Sequence, residues 1–106
     1  MRMITELEKA RKEIDRIDER MARLFEERMM LCAKIAEYKL RNGLPILDAS
    51  REEQVIGKNV GFIEADGLKA YYKDFIKAVM SISRLYQQEM TGGKRSQQAK
   101  EKYQDE

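Results

Sequence analysis

From Thr5 to Arg41 the chain has no proline and no glycine, and two columns of residues recur at intervals of seven: Leu7, Ile14, Met21, Arg28, Ile35 and Ala10, Ile17, Leu24, Leu31, Tyr38. The 3-4-3-4 spacing of these columns is the seam of a long amphipathic helix that packs lengthwise on other helices. Thr5 and Glu8 fit a capping box at its start. Asn42-Gly43 ends it in the manner of a helix C-terminus, and Pro45 prevents its resumption. At ~1.5 Å per residue this helix is roughly 55 Å long. A compact chain of this size has a radius of gyration of only about 13 Å. An apolar seam that outruns the globule needs a partner, so the pattern predicts an obligate oligomer, most simply a two-fold dimer with long helices side by side.

After a short connection over 44–49, Ser50-Arg51-Glu52-Glu53 reads as a second capping box, with Asp48 as a competing N-cap. The helix that follows carries Val55, Ile56 and Val60, but Gly57 and Gly61 weaken it by up to ~1 kcal/mol each relative to alanine. It is expected to be short and irregular after Lys58. Asp66-Gly67 marks a break. A third helix is predicted from Leu68 to Glu89, with Leu68, Tyr72, Phe75, Val79, Ile82 and Tyr86 on its apolar stripe, and Thr91-Gly92-Gly93 stops it. No strand pattern and no internal repeat occurs. The expected fold is all-α: three helices, long, short and medium, in a domain over residues 1–92, with 93–106 a polar, mobile tail.

Composition narrows the chemistry. The 106 residues are 42% hydrophobic and 38% charged, which suits one domain with a thin core. Twenty-one Lys and Arg against nineteen Asp and Glu leave a net charge of +2. That balance provides no global field for nucleic acid or an anionic membrane. Cys32 stands alone and histidine is absent, which rules out an intrachain disulfide, a His/Cys metal site and His-dependent catalysis. No apolar run is long enough to span a bilayer. A soluble, cytoplasmic protein without cofactor or metal is expected, and no role with nucleic acid or membranes.

The one charged residue in the seam is Arg28. A guanidinium among Leu24, Leu31 and Ile35 is costly unless an anion meets it. Lys39 lies eleven positions on, about 20° around the helix and ~16 Å along it, so the two cations share a face. Arg11 is ~25 Å from Arg28 along the axis, too far to share a small ligand within one chain. In an antiparallel dimer the partner's Arg11 could reach Arg28. Taken singly, Arg11 and Lys39 also read as snorkelling or salt-bridged surface residues. Asp48, Arg51 and Glu52 read as helix capping with an acidic first turn. That capping reading is the preferred one from the residues alone; the functional alternative is that they present free N–H groups, a charge and a hydroxyl acceptor to a ligand. On the third helix Ser83/Gln87 and Arg84/Gln88 are two i,i+4 pairs of possible donors.

These elements together resemble the all-helical class of chorismate mutases. The resemblance covers roughly residues 4 to 90. It rests on Leu7-Glu8-Lys9-Ala10-Arg11 with Ile14-Asp15 and Ile17-Asp18, then Leu24-Phe25-Glu26-Glu27-Arg28 and Ala33-Lys34-Ile35-Ala36-Glu37-Tyr38-Lys39. Pro45-Ile46-Leu47-Asp48, Arg51-Glu52 and the stretch from Ser83 to Gln87 complete it. It implies an intertwined homodimer of three-helix subunits with each site built from both chains. Arg28 and the partner's Arg11 would grip the carboxylates of a dianionic substrate, chorismate, with Arg51 and Ser83 beside them. Lys39 and Gln87 would donate to the ether oxygen, and Glu52 with the N–H of Asp48 would hold the ring hydroxyl. Alignment of Phe75-Ile76 and Val79-Met80 with the apolar pairs of this class selects Ser83/Gln87 over Arg84/Gln88. The implied activity is the rearrangement of chorismate to prephenate in aromatic amino-acid biosynthesis. The alternatives are the related isochorismate pyruvate-lyase and a non-catalytic helical interaction module.

Overall fold

The computed structural model describes residues 3–92. The order of elements is α1 over Glu6–Arg41, α2 over Ala49–Gly61, a single 3₁₀ turn over Asp66–Leu68, and α3 over Lys69–Met90. Among the described residues there is no strand, and no helix is long and apolar enough to cross a membrane. The expected tail from residue 93 lies outside the described residues. The chain divides between Leu31 and Cys32 into two compact units.

The first unit carries the greater part of α1. Thr5 caps it: its Oγ1 accepts from the Glu8 N–H at 3.1 Å and its carbonyl from the Lys9 N–H at 3.0 Å. The seam residues Leu7, Ile14, Ile17, Leu24 and Leu31 are 51–59% exposed. An aliphatic column left half in water over so many turns is a surface that asks for a partner.

The second unit opens with the last turns of α1, and its buried residues are Cys32, Ala36, Ile76, Met80, Ser83 and Gln87. Here α2 packs against α3, with the 3₁₀ turn beside the start of α3. The long helix stops at a left-handed residue, Gly43 at φ +66°. The Leu44 N–H reaches back to the Lys39 carbonyl at 2.8 Å and the Gly43 N–H to the Leu40 carbonyl at 3.4 Å. This is the Schellman arrangement, in which a glycine at positive φ lets the chain turn back and satisfy the last carbonyls.

Two expectations are corrected in this unit. The second helix runs unbroken to Gly61 and is not irregular after Lys58. Asp48, rather than Ser50, is its N-cap, accepting from the Arg51 N–H at 3.0 Å. At the other end the Phe62 N–H bonds to Asn59 and Val60 carbonyls. Satisfied ends offset the low helix propensity of two glycines. A Cβ at Gly57 would meet nothing within 4 Å. Gly57→Ala is therefore expected to raise stability by about 0.5–1 kcal/mol, read as a higher midpoint in thermal denaturation.

The second correction concerns α3. Its buried column is Ile76, Met80, Ser83 and Gln87, one position past the predicted Phe75, Val79, Ile82 and Tyr86. Phe75 and Ile82 remain about half exposed, and the Phe75 ring stacks on Tyr72 with centroids 5.7 Å apart. A search for apolar periodicity selects the oily column. In this helix the column turned inward has a polar lower half.

Candidate functional site

Arg11 and Arg28 both lie on α1 in the first unit, Arg11 exposed and Arg28 partly buried. The other candidates belong to the second unit, where each is held by local structure.

Lys39 sits in the last turn of α1, and its Nζ donates to the Ile46 carbonyl at 2.8 Å. The Schellman turn brings that carbonyl into reach, because it folds residues 44–46 back along the helix end. The ammonium is thus tethered by one of its three donors. Asp48 uses its side chain to cap α2, and its carbonyl accepts from the Glu52 N–H at 3.0 Å. Arg51, one position before Glu52, is exposed on the first turn.

Glu52 is met by Arg84, which in the sequence is a rival of Ser83 as a donor on the third helix. Nη1 of Arg84 donates to its Oε1 at 2.5 Å, an ion pair between α2 and α3. Ser83 and Gln87, by contrast, are only 6% and 7% exposed and lie on the buried face of α3. The Ser83 hydroxyl donates to the Val79 carbonyl at 2.8 Å, the back-bonding habit of helical serine. Rotation about one bond re-aims it. Among the described residues no hydrogen-bond partner meets the side-chain amide of Gln87. A buried amide without a partner costs about 1–3 kcal/mol, and such groups call for an explanation.

The structure therefore joins Asp48 to Arg51 and Glu52 to Arg84, rests Lys39 on Ile46, and puts Ser83 beside Gln87 on one inward face. Neither the Ile46 carbonyl nor the Glu52–Arg84 pair was legible as a site feature in the sequence. For the second, the available signal was opposite charge on two helices, 32 positions apart. Among the described residues no group of three or more His, Cys, Asp or Glu side chains is placed to hold a metal ion. With the Asp48 carboxylate spent on capping α2, what this set offers a ligand is cationic and neutral donors with the Glu52 carboxylate as anionic acceptor, suited to an anion that also carries a hydroxyl.

A family model described as chorismate mutase type II matches residues 10–88. A bifunctional chorismate mutase/prephenate dehydratase of Aquifex aeolicus is 36% identical over 87 residues, covering 74% of this chain and 24% of that protein. A chorismate mutase of Methanocaldococcus jannaschii is 42% identical over 53 residues, covering 50% of this chain and 54% of that protein. The chain thus spans about a quarter of the first relative and about half of the second. No solved structure gives a significant match. The span matched by the family model runs from the first turns of α1 to the last turn of α3 and takes in every candidate named above: the chain belongs to the chorismate mutase type II family.

Proposed function

We propose that this protein is a chorismate mutase, converting chorismate to prephenate on the route to phenylalanine and tyrosine. The reaction is an intramolecular Claisen rearrangement: one carbon–carbon bond forms as the ether carbon–oxygen bond breaks, with no proton transfer and no covalent intermediate. It requires a dianion to be stripped of water and folded into a chair-like shape, which arginine clamps on two carboxylates achieve. Arg28 and the partner's Arg11 take that role, with Arg51 and Ser83 beside them.

As the ether bond breaks, negative charge grows on its oxygen. Donors already aimed at that point stabilise the transition state more than the ground state. Lys39 and Gln87 are the donors, and Glu52 with the Asp48 N–H holds the ring hydroxyl. The observation that carries this reading is the Gln87 amide, buried on α3 and unmatched among the described residues. An amide so placed is poised for an acceptor that the ligand brings. Its neighbour on the same face, Ser83, adds a second uncharged donor.

The dimer belongs to the same proposal. The half-exposed seam of α1 supports it, as does the distance along that helix from Arg11 to Arg28, ~25 Å. In a two-fold pair the seams cover one another and each site receives Arg11 from the other chain. A lone buried cysteine suits the reducing cytoplasm.

The test is to incubate the purified protein with chorismate, follow loss of its ultraviolet absorbance, and identify the product. Prephenate is the expected result. Salicylate with pyruvate from isochorismate, and no turnover of chorismate, would assign the chain to the pyruvate-lyase instead. Inertness towards both would leave a helical binding module.

A further inference from the structure

The ion pair between α2 and α3 has a geometry that bears on the acceptor end of the site. Arg84 spends Nη1 on Oε1 of Glu52 at 2.5 Å and Nη2 on the Ser81 hydroxyl at 3.4 Å. The guanidinium is thus oriented from its own helix while it grips the neighbouring one. The two side chains are 33% and 22% exposed, in a shallow groove that Ile56 and Met80 also line. Glu52 has one carboxylate oxygen engaged, and among the described residues nothing bonds to Oε2.

A glutamate on the first turn of a helix has three side-chain torsions to restrict before it can receive a hydroxyl at a fixed place. Tying one oxygen to a planar fork on the opposite helix sets those torsions in advance and leaves the second oxygen to accept. We infer that Arg84 is a positioning residue, which locks the Glu52 carboxylate between α2 and α3 so that its open oxygen meets the substrate's ring hydroxyl. This rests on the chorismate mutase reading above. Arg84 does not touch the reacting atoms: it acts through Glu52, on the part of the substrate that distinguishes one hydroxylated ring from another. Binding and discrimination between hydroxyl positions therefore depend on it more than the bond-breaking step does.

The test is a double-mutant cycle on the full chain, with kcat and KM for chorismate measured in each variant and thermal midpoints alongside. Arg84→Gln is expected to raise KM about tenfold with kcat changed by less than about twofold, because a held acceptor is lost while the ether donors remain. Arg84→Lys, which keeps the charge, is expected to recover most of that loss. In a Glu52→Ala background, Arg84→Gln is expected to add less than about twofold, since the residue through which it acts is gone. An equal rise in KM in both backgrounds, or no change in the Arg84→Gln variant alone, overturns the inference. So does a fall in kcat that tracks a lowered thermal midpoint in both Arg84 variants, the mark of a mere staple between helices. A wild-type chain that does not rearrange chorismate overturns the underlying reading and the inference with it. An active wild type with an insensitive Arg84 removes the inference alone.

Discussion

Lys39→Ala is expected to lower kcat for chorismate by about two to three decades, the loss of roughly 3–4 kcal/mol that follows removal of one donor to a developing oxyanion. The ammonium is the only cationic donor proposed for the ether oxygen, so no other charge replaces it. In the structure its Nζ rests on the Ile46 carbonyl, at an intermediate level of burial. The substitution thus leaves one carbonyl with less company and does not empty a core. Sedimentation of the variant is accordingly expected to match wild type while turnover collapses. A Lys39→Ala protein that retained substantial activity would sink the assignment of the ether donor.

Mixing two dead variants should restore activity. If each site takes Lys39 from one chain and Arg11 from the other, an Arg11→Ala chain paired with a Lys39→Ala chain makes one intact site and one doubly damaged site. Equal amounts, unfolded together and refolded, give about half mixed dimers, and so about a quarter of the wild-type number of sites. Neither variant alone can approach that figure, since each homodimer has the same defect in both sites. The measurement is activity of the refolded mixture against the two variants refolded separately. A mixture no more active than the sum of its parts would falsify the shared site, and with it the reason proposed for a seam left half in water.

The parts of the fold that were legible in the sequence are those determined over a few residues. Thr5 and Gly43 bracket the long helix because a hydroxyl cap and a left-handed glycine act on backbone groups three to five positions away. The second helix is more regular than its composition predicts. Gly57 and Gly61 argue for breakage by propensity alone, whereas Asp48 at one end and Asn59 with Val60 at the other hold it together. On α3 the apolar rule failed in an instructive way. It chose the Phe75 column, while the inward column ends in Ser83 and Gln87, polar residues that a search for oil passes over.

The candidate site was legible to the same degree. Arg28 stood out as a charge on a seam, and Ser83 with Gln87 as an i,i+4 pair. The partner of Glu52 was not, because an ion pair between residues 32 positions apart depends on which faces two helices turn to each other. Local pattern carries no such information. Arg84 was visible only as a rival to Ser83, and its place in the structure gives it a different task.

The turn at Gly43 does more than end a helix. The backbone carbonyl of Lys39 accepts from Leu44 and its side chain donates to Ile46, so both ends of this residue are fastened to the segment that folds back. Helix termini open far more often than helix centres, and they do so without the rest of the protein unfolding. The working life of the proposed ether donor is then set by local unfolding of five or so residues around a glycine. The stability of the long helix itself does not set it.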